Sequence, residues 1–330
     1  MPSPPSPDRH PTDPTDPTDL TDAAELAVEA AGLGIRHGRE WTLRNADFRV
    51  PRGRVAALVG PNGDGKSSLL AVAAGLRRPT EGTIRVLGHA PGDHAVLPRV
   101  GVLLQDRPLH KGFTVAETLR LGRLLNPGWD QELAASVIAE ADVPPRARVG
   151  RLSGGQRSCV ALALTLGKRP DLLLLDEPMA DLDPLRRHAM TAALMTSAAR
   201  YGTTIVMSSH ILAELHLICD YVVLMAHGRI LLADDTDFVQ AAHTLVTHTH
   251  THPLDGDGDG DSTALPPSLR NGTVIESRTT GRRLTALLRF ATGADGAATT
   301  APPALDEILL AYLRNPEAPP LLAPDETARP

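Results

Sequence analysis

A short apolar run at 54–59 passes directly into Gly60-Pro61-Asn62-Gly63-Asp64-Gly65-Lys66-Ser67, then into the helical pattern opening Ser68-Leu69-Leu70. No other feature of the chain limits its fold so tightly. The spacing is G-x-x-x-x-G-K-S, and the motif has meaning only between a strand and a helix, which is the context found here. Glycines let successive backbone N–H groups turn inward around phosphate oxygens, and the start of the next helix adds the positive end of its dipole. Lys66 would bring a mobile charge to the β- and γ-phosphates. Ser67 would offer a hydroxyl to Mg²⁺, a hard ion that prefers oxygen ligands. The segment predicts a nucleoside triphosphate site in an α/β fold.

The rest of the chain supplies strands to build that fold. Further strands are expected at 99–104, 172–176, 203–208 and 221–225, several followed by helical patterns, which suggests βαβ units. The quartet Leu172 to Leu175 has no polar face, as a strand covered on both sides requires. It ends in Asp176-Glu177-Pro178, so two carboxylates are expected at the sheet edge where the phosphate loop also lies. Asp176 could hold Mg²⁺ through water, and Glu177 is placed to polarise an attacking water. A third segment, Leu152-Ser153-Gly154-Gly155-Gln156, opens another helical pattern. Ser153 is a good N-cap, and the two glycines expose N–H groups, which makes a second anion site.

This set of motifs resembles the ATP-binding subunit of an ABC transporter, nearest to bacterial subunits paired with ABC-2-type permeases. The resemblance spans about 25–235, and the pentapeptide Leu152–Gln156, lying between the phosphate loop and the Asp176 strand, is its most specific element. It implies an ABC ATPase fold of the P-loop NTPase class, α/β, with a mixed sheet core, a helical subdomain at about 106–165, and a small α+β C-terminal extension. It also implies that Gln105 senses Mg²⁺ and the attacking water, that Asp183 is the aspartate of the loop after Glu177, and that His210 contacts the γ-phosphate. Ser68 belongs with the phosphate loop, and Ser153, Gly154, Gly155 and Gln156 would serve ATP held by another subunit. The implied cofactors are ATP and Mg²⁺. The implied partners are a second nucleotide-binding subunit, as homo- or heterodimer, and a separately encoded membrane permease working in the direction of export; nucleic acid is not among them.

Three places depart from the family pattern. His37 stands where an aromatic ring usually stacks on adenine, with Trp41 nearby, and an imidazole stacks less well. Asp64 replaces a small residue beside the phosphates and is tolerable only if its carboxylate points outward. Ala180 and Asp181 replace the serine and small residue usual before Leu182 and Asp183.

Composition excludes several alternatives. No run of about 18 uninterrupted apolar residues occurs, so no helix is expected to span a membrane. The N-terminus lacks a basic-then-apolar signal pattern, and two cysteines, Cys159 and Cys219, cannot form a disulfide framework. A cytoplasmic protein, peripheral on the inner face of the cell membrane, is expected. The net charge of −6 arises from the first 30 residues, with seven acids against Arg9. The balanced remainder gives no reason to expect nucleic-acid binding. A soluble ABC-type ATPase of DNA repair or translation is the competing class. Its usual tandem cassettes, long coiled coils and cysteine clusters are missing, and Ser153 follows Lys66 by only 87 positions.

The expected organisation is a disordered Pro/Thr/Asp-rich tail at 1–23, an ATPase domain at 24–240, a low-complexity linker at 241–270 and an extension at 271–330. In the extension, 272–278 and 283–290 should pair as a hairpin, and 305–314 has helical periodicity. The run Asp255–Gly260 copies the opening of a calcium loop but meets Pro266 where a glutamate is needed, and His248, His250 and His252 alternate as weak metal scavengers at most.

Overall fold

The computed structural model describes residues 26–209, 218–249, 272–281, 283–290 and 298–323. In chain order its elements are β1 (Leu26–His37), β2 (Glu40–Pro51), β3 (Val55–Val59), α1 (Lys66–Ala73), β4 (Glu81–Val86), β5 (Val100–Leu103), α2 (Val115–Leu125), α3 (Gln131–Glu140) and α4 (Gly154–Gly167). There follow β6 (Leu172–Leu175), α5 (Pro184–Tyr201), β7 (Thr204–Ser209), β8 (Tyr221–Ala226), β9 (Arg229–Asp235), α6 (Thr236–Ala241) and β10 (His243–Thr249). The C-terminal elements are β11 (Thr273–Thr280), β12 (Arg283–Arg289), β13 (Ala298–Ala301), α7 (Leu305–Arg314) and β14 (Leu321–Leu322).

The central sheet has the order β14-β9-β8-β3-β7-β6-β5. Strands β5, β6, β7, β3 and β8 run parallel, β9 runs antiparallel to β8, and β14 joins β9 in parallel. The mixed sheet core expected from the resemblance is thus present. The leucine quartet shows why these strands read as unbroken apolar runs. Leu173 and Leu175 face one core, shared with α2 to α5, while Leu172 and Leu174 face a second core, shared with α1 and a three-stranded antiparallel sheet β2-β1-β4. Both faces are covered, so each leucine buried there contributes about 1.5–3 kcal/mol.

Helix starts follow from local chemistry. Thr114 and Glu117 cap α2 reciprocally, Asp130 caps α3, and Asp183 caps α5 ahead of Pro184, which terminates at left-handed Gly202. α2, α3 and most of α4 lie in the segment 106–165.

Two expectations about organisation change. Residues 243–249 are not linker. They form β10, paired with β12 on one side and β13 on the other, because alternating Thr244, Val246 and His248 suit a strand and Val246 is buried. The four-stranded sheet β11-β12-β10-β13 also does not stand apart from the ATPase body. Ile275, Leu287, Ile308 and Tyr312 share a core with Leu231, Leu232 and Val239 of β9 and α6. The chain then returns through β14 to the edge of the central sheet, and Arg289 donates to the carbonyls of Pro319 and Pro320 just before it. The hairpin β11–β12 and helix α7 lie where the sequence pattern places them. The expected tail at 1–23, the Asp255–Gly260 run, His250 and His252 lie outside the described residues.

Candidate functional site

The phosphate loop connects β3 to α1, and its shape depends on Gly65. That residue is left-handed, at φ +100°, and caps α1. A Cβ there would stand 2.0 Å from Thr42 Cγ2, so only glycine lets β2 approach this closely. Lys66 is buried and curls back over the loop, its Nζ donating to the carbonyls of Gly60 at 2.7 Å and Pro61 at 3.0 Å. Burial pushes the ammonium below the usual lysine range, while Glu177, Asp64 and Asp176 pull it back up. The Asp64 carboxylate accepts from the His227 N–H at 3.1 Å, in the turn between β8 and β9. It is directed away from the cleft, as the sequence argument demanded.

Asn62, Gly63, Gly65, Lys66, Ser67, Ser68, Gln105, Asp176, Glu177 and Ala180 line a cleft of about 400 Å³. The strand order accounts for this meeting. β5, β6, β7 and β3 are parallel neighbours, so Gln105 after β5, Asp176 and Glu177 after β6, and the loop after β3 emerge at one sheet edge. A larger cavity of about 690 Å³ lies between α2 and α3 and holds none of these groups. The cleft, not the larger cavity, gathers the charged and hydroxyl groups.

Ser208 organises the two carboxylates and is the site residue that sequence reasoning passed over. Its fully buried hydroxyl donates to Asp176 Oδ1 at 2.7 Å and accepts from the Glu177 N–H at 2.8 Å. Glu177 itself has left-handed backbone, φ +46°, a conformation uncommon outside glycine. The available signal was the first of two serines, Ser208-Ser209, that follow the apolar run Ile205-Val206-Met207 of a central strand. A second unpredicted group is Arg77. It contacts His37 and donates to the Arg36 carbonyl, while His37 Nε2 lies 2.9 Å from Ser68 Oγ. His37 is therefore at the mouth of the cleft, whereas Trp41 is covered by the guanidinium groups of Arg36 and Arg44.

The remaining predicted residues are elsewhere. Ser153 and Gln156 form a reciprocal cap at the start of α4: Ser153 Oγ accepts from Gln156 N at 3.2 Å and Gln156 Oε1 from Ser153 N at 3.1 Å. Neither these two nor Gly154 and Gly155 line the cleft. Asp183 accepts from the Arg186 N–H at 3.0 Å and pairs with its guanidinium, which together hold its carboxyl below the usual range. In this chain it is a helix cap, exposed and turned to Arg186. His210 lies outside the described residues.

Comparison with known proteins establishes the family and the fold. Residues 43–180 match the ABC transporter family. The chain is 35% identical over 213 residues to the Nod factor export ATP-binding protein I of Rhizobium sp. (strain N33), covering 62% of this chain and 70% of that one. It is 39% identical over 216 residues to the hemin import ATP-binding protein HmuV of Streptomyces coelicolor, covering 62% and 77%. A solved ATP-binding subunit of an ABC transporter superposes with a TM-score of 0.59 at 25% identity, over 65% of this chain and 92% of that one. On sequence and fold together, the chain belongs to the ABC transporter family, as one of its ATP-binding ATPase subunits.

Proposed function

We propose that two such cassettes close head to tail around two ATP molecules and that hydrolysis drives a separate membrane permease, in the direction of export. One observation carries the reading: the capped, glycine-bearing helix start at Ser153–Gln156 lies outside the cleft that holds Lys66, so for it to serve a γ-phosphate a second cassette would have to bring it there. With donors from both chains on one anion, ATP bridges the pair and hydrolysis removes the bridge.

In each cleft Lys66 and the loop N–H groups would hold the β- and γ-phosphates. Asp176, Ser67 and Gln105 offer only oxygen donors, a set that fits Mg²⁺, and that ion would neutralise phosphate charge when bound. Glu177, fixed through its N–H by Ser208, would accept a proton from the attacking water, and His210 would meet the γ-phosphate. His37 would lie along the base, and Asp183 would set the start of α5 at the interface.

An apolar rim supports a membrane partner. Leu76 and Leu97, both exposed, border a second cleft with Asn126 and Leu164, and exposed Leu124 and Leu125 directly precede Asn126. Docking there would keep the subunit on the inner face of the membrane and couple it to the Gln105 segment. The test is Glu177→Gln. It should abolish turnover yet retain ATP and migrate as a dimer, whereas undiminished steady-state hydrolysis would overturn the assignment. Lys66→Ala should lose affinity for a fluorescent ATP analogue.

A further inference from the structure

Asp181, the departure noted in the loop after Glu177, has a partner. Arg107, two residues beyond Gln105, reaches across with Nη1 to Asp181 Oδ2. The Arg107 side chain is only 9% exposed, against 54% for Asp181. Its Nε is buried and has no acceptor among the described residues. Its backbone is left-handed, φ +45°, held by turns from Arg107 N to the Leu104 carbonyl and from Leu109 N to the Arg107 carbonyl.

As a stabilising contact this pair is poor. A guanidinium taken out of water with one N–H unmet, and a strained backbone to place it, cost more than a half-exposed ion pair returns. Its value must lie in what it connects. Gln105 and Glu177, on the two loops it joins, both line the nucleotide cleft. Asp181 in turn lies against the start of α4. A Cβ on Gly155 would stand 3.1 Å from the Asp181 carbonyl oxygen, and one on Gly154 would stand 3.8 Å from its carboxylate. The ion pair therefore ties the Gln105 loop to the Glu177 loop and to the Ser153 helix start.

We propose that Arg107 is a positioning residue of ATP hydrolysis: its ion pair with Asp181 makes the groups facing a cassette's own nucleotide and the helix start facing its partner's nucleotide move as one body. This rests on the head-to-tail reading above. Occupancy of one cleft is then transmitted to the other, and ATP is hydrolysed cooperatively. Because a single Nη1 makes the contact, a lysine of nearly the same reach can replace it, which a bidentate pair would not allow.

The full-length protein with a fluorescent ATP analogue and steady-state ATPase kinetics tests this. Arg107→Met should leave analogue affinity within about twofold of the parent. It should lower kcat about tenfold and bring the Hill coefficient for ATP toward one. Arg107→Lys should recover most of both, and the double variant with Asp181→Asn should be no worse than either single. A kcat unchanged in Arg107→Met, or single losses that multiply in the double, would overturn the proposal. If Arg107→Met fails to fold by circular dichroism, Asp181→Asn on the exposed side carries the same test. Glu177→Gln in the same assay separates the two levels. Were it still active, the head-to-tail hydrolysis reading would fail; were it inactive while Arg107→Met stayed normal, only the positioning role would.

Discussion

Replacing Ser208 by alanine removes one oxygen and disconnects both carboxylate-bearing residues of the cleft. The hydroxyl gives Asp176, itself 4% exposed, a charge-assisted hydrogen bond, and it satisfies the Glu177 N–H. A hydrogen bond to a charged group contributes about 1.5–3 kcal/mol, and a buried N–H left without an acceptor costs about 1–3 kcal/mol. The two losses share one atom and one strand, so they will not add in full, and a total near 3 kcal/mol is expected. The Glu177 peptide would also be released from a left-handed conformation that costs about 1–2 kcal/mol to hold. Its carboxylate should swing from its working position, and misplacement by about 1 Å reduces turnover on the order of a hundredfold. Urea unfolding at pH 7 measures the first effect and steady-state ATPase the second. The stability loss should persist in a Glu177→Gln background, because the main-chain N–H remains. A loss below about 1 kcal/mol with hydrolysis untouched would refute the idea that this hydroxyl organises the site.

Three other outcomes follow from particular residues. Gly65→Ala forces a side chain into left-handed backbone and onto Thr42, so a loss of about 2–5 kcal/mol with failure to bind the ATP analogue is expected in thermal melting and fluorescence titration; an unshifted melt would contradict the loop geometry. His243 is buried, with Nδ1 against the Val239 carbonyl and Nε2 near Tyr312 Oη, and burial, aided by Arg289, holds its pKa below the ordinary value. The unfolded chain then binds the proton more readily, so stability is complete above about pH 6.5 and declines as pH falls toward the folded value; urea midpoints should drop from pH 7 to 5, and His243→Asn should flatten that slope. Both cysteines are buried, and burial pushes the Cys219 thiol up to about 12, so a maleimide should label neither in the native state at pH 7.5 but both in urea, and rapid native labelling would contradict the packing.

The parallel strands were legible because each is packed on both faces. Residues 172–175, 204–209 and 221–226 alternate between two cores that are equally apolar, so they appear as plain hydrophobic runs. The antiparallel sheet of β1, β2 and β4 was harder to see. Its β1–β2 register shifts between Ala30 and Leu33 and again between Leu33 and Ile35, which destroys the two-residue period that betrays a half-exposed strand. β10 failed for the opposite reason. Its period is regular, but its threonines and histidines belong to a compositional run that resembles linker, and only pairing with β12 and β13 shows otherwise.

Within the site, motifs revealed the groups whose chemistry depends on residue type at a fixed spacing: Lys66 on its glycine loop, the carboxylates ending a buried strand, the serine-capped glycines. Groups whose importance depends on what they meet across the fold left little trace. Ser208 acts on Asp176, and Arg107 on Asp181, from strands and loops distant in sequence. The same distinction bears on the proposed dimer. Sequence places Ser153–Gln156 and Lys66 in one polypeptide, yet folding puts the first at the start of α4 and the second at the start of α1, with nearby loops held by the contacts of Arg186, Arg107 and His227. In the described cassette the serine-capped helix start does not line the cleft that holds Lys66. In the head-to-tail dimer proposed above, a second cassette would supply that helix start while the contacts of Arg186, Arg107 and His227 stay in place.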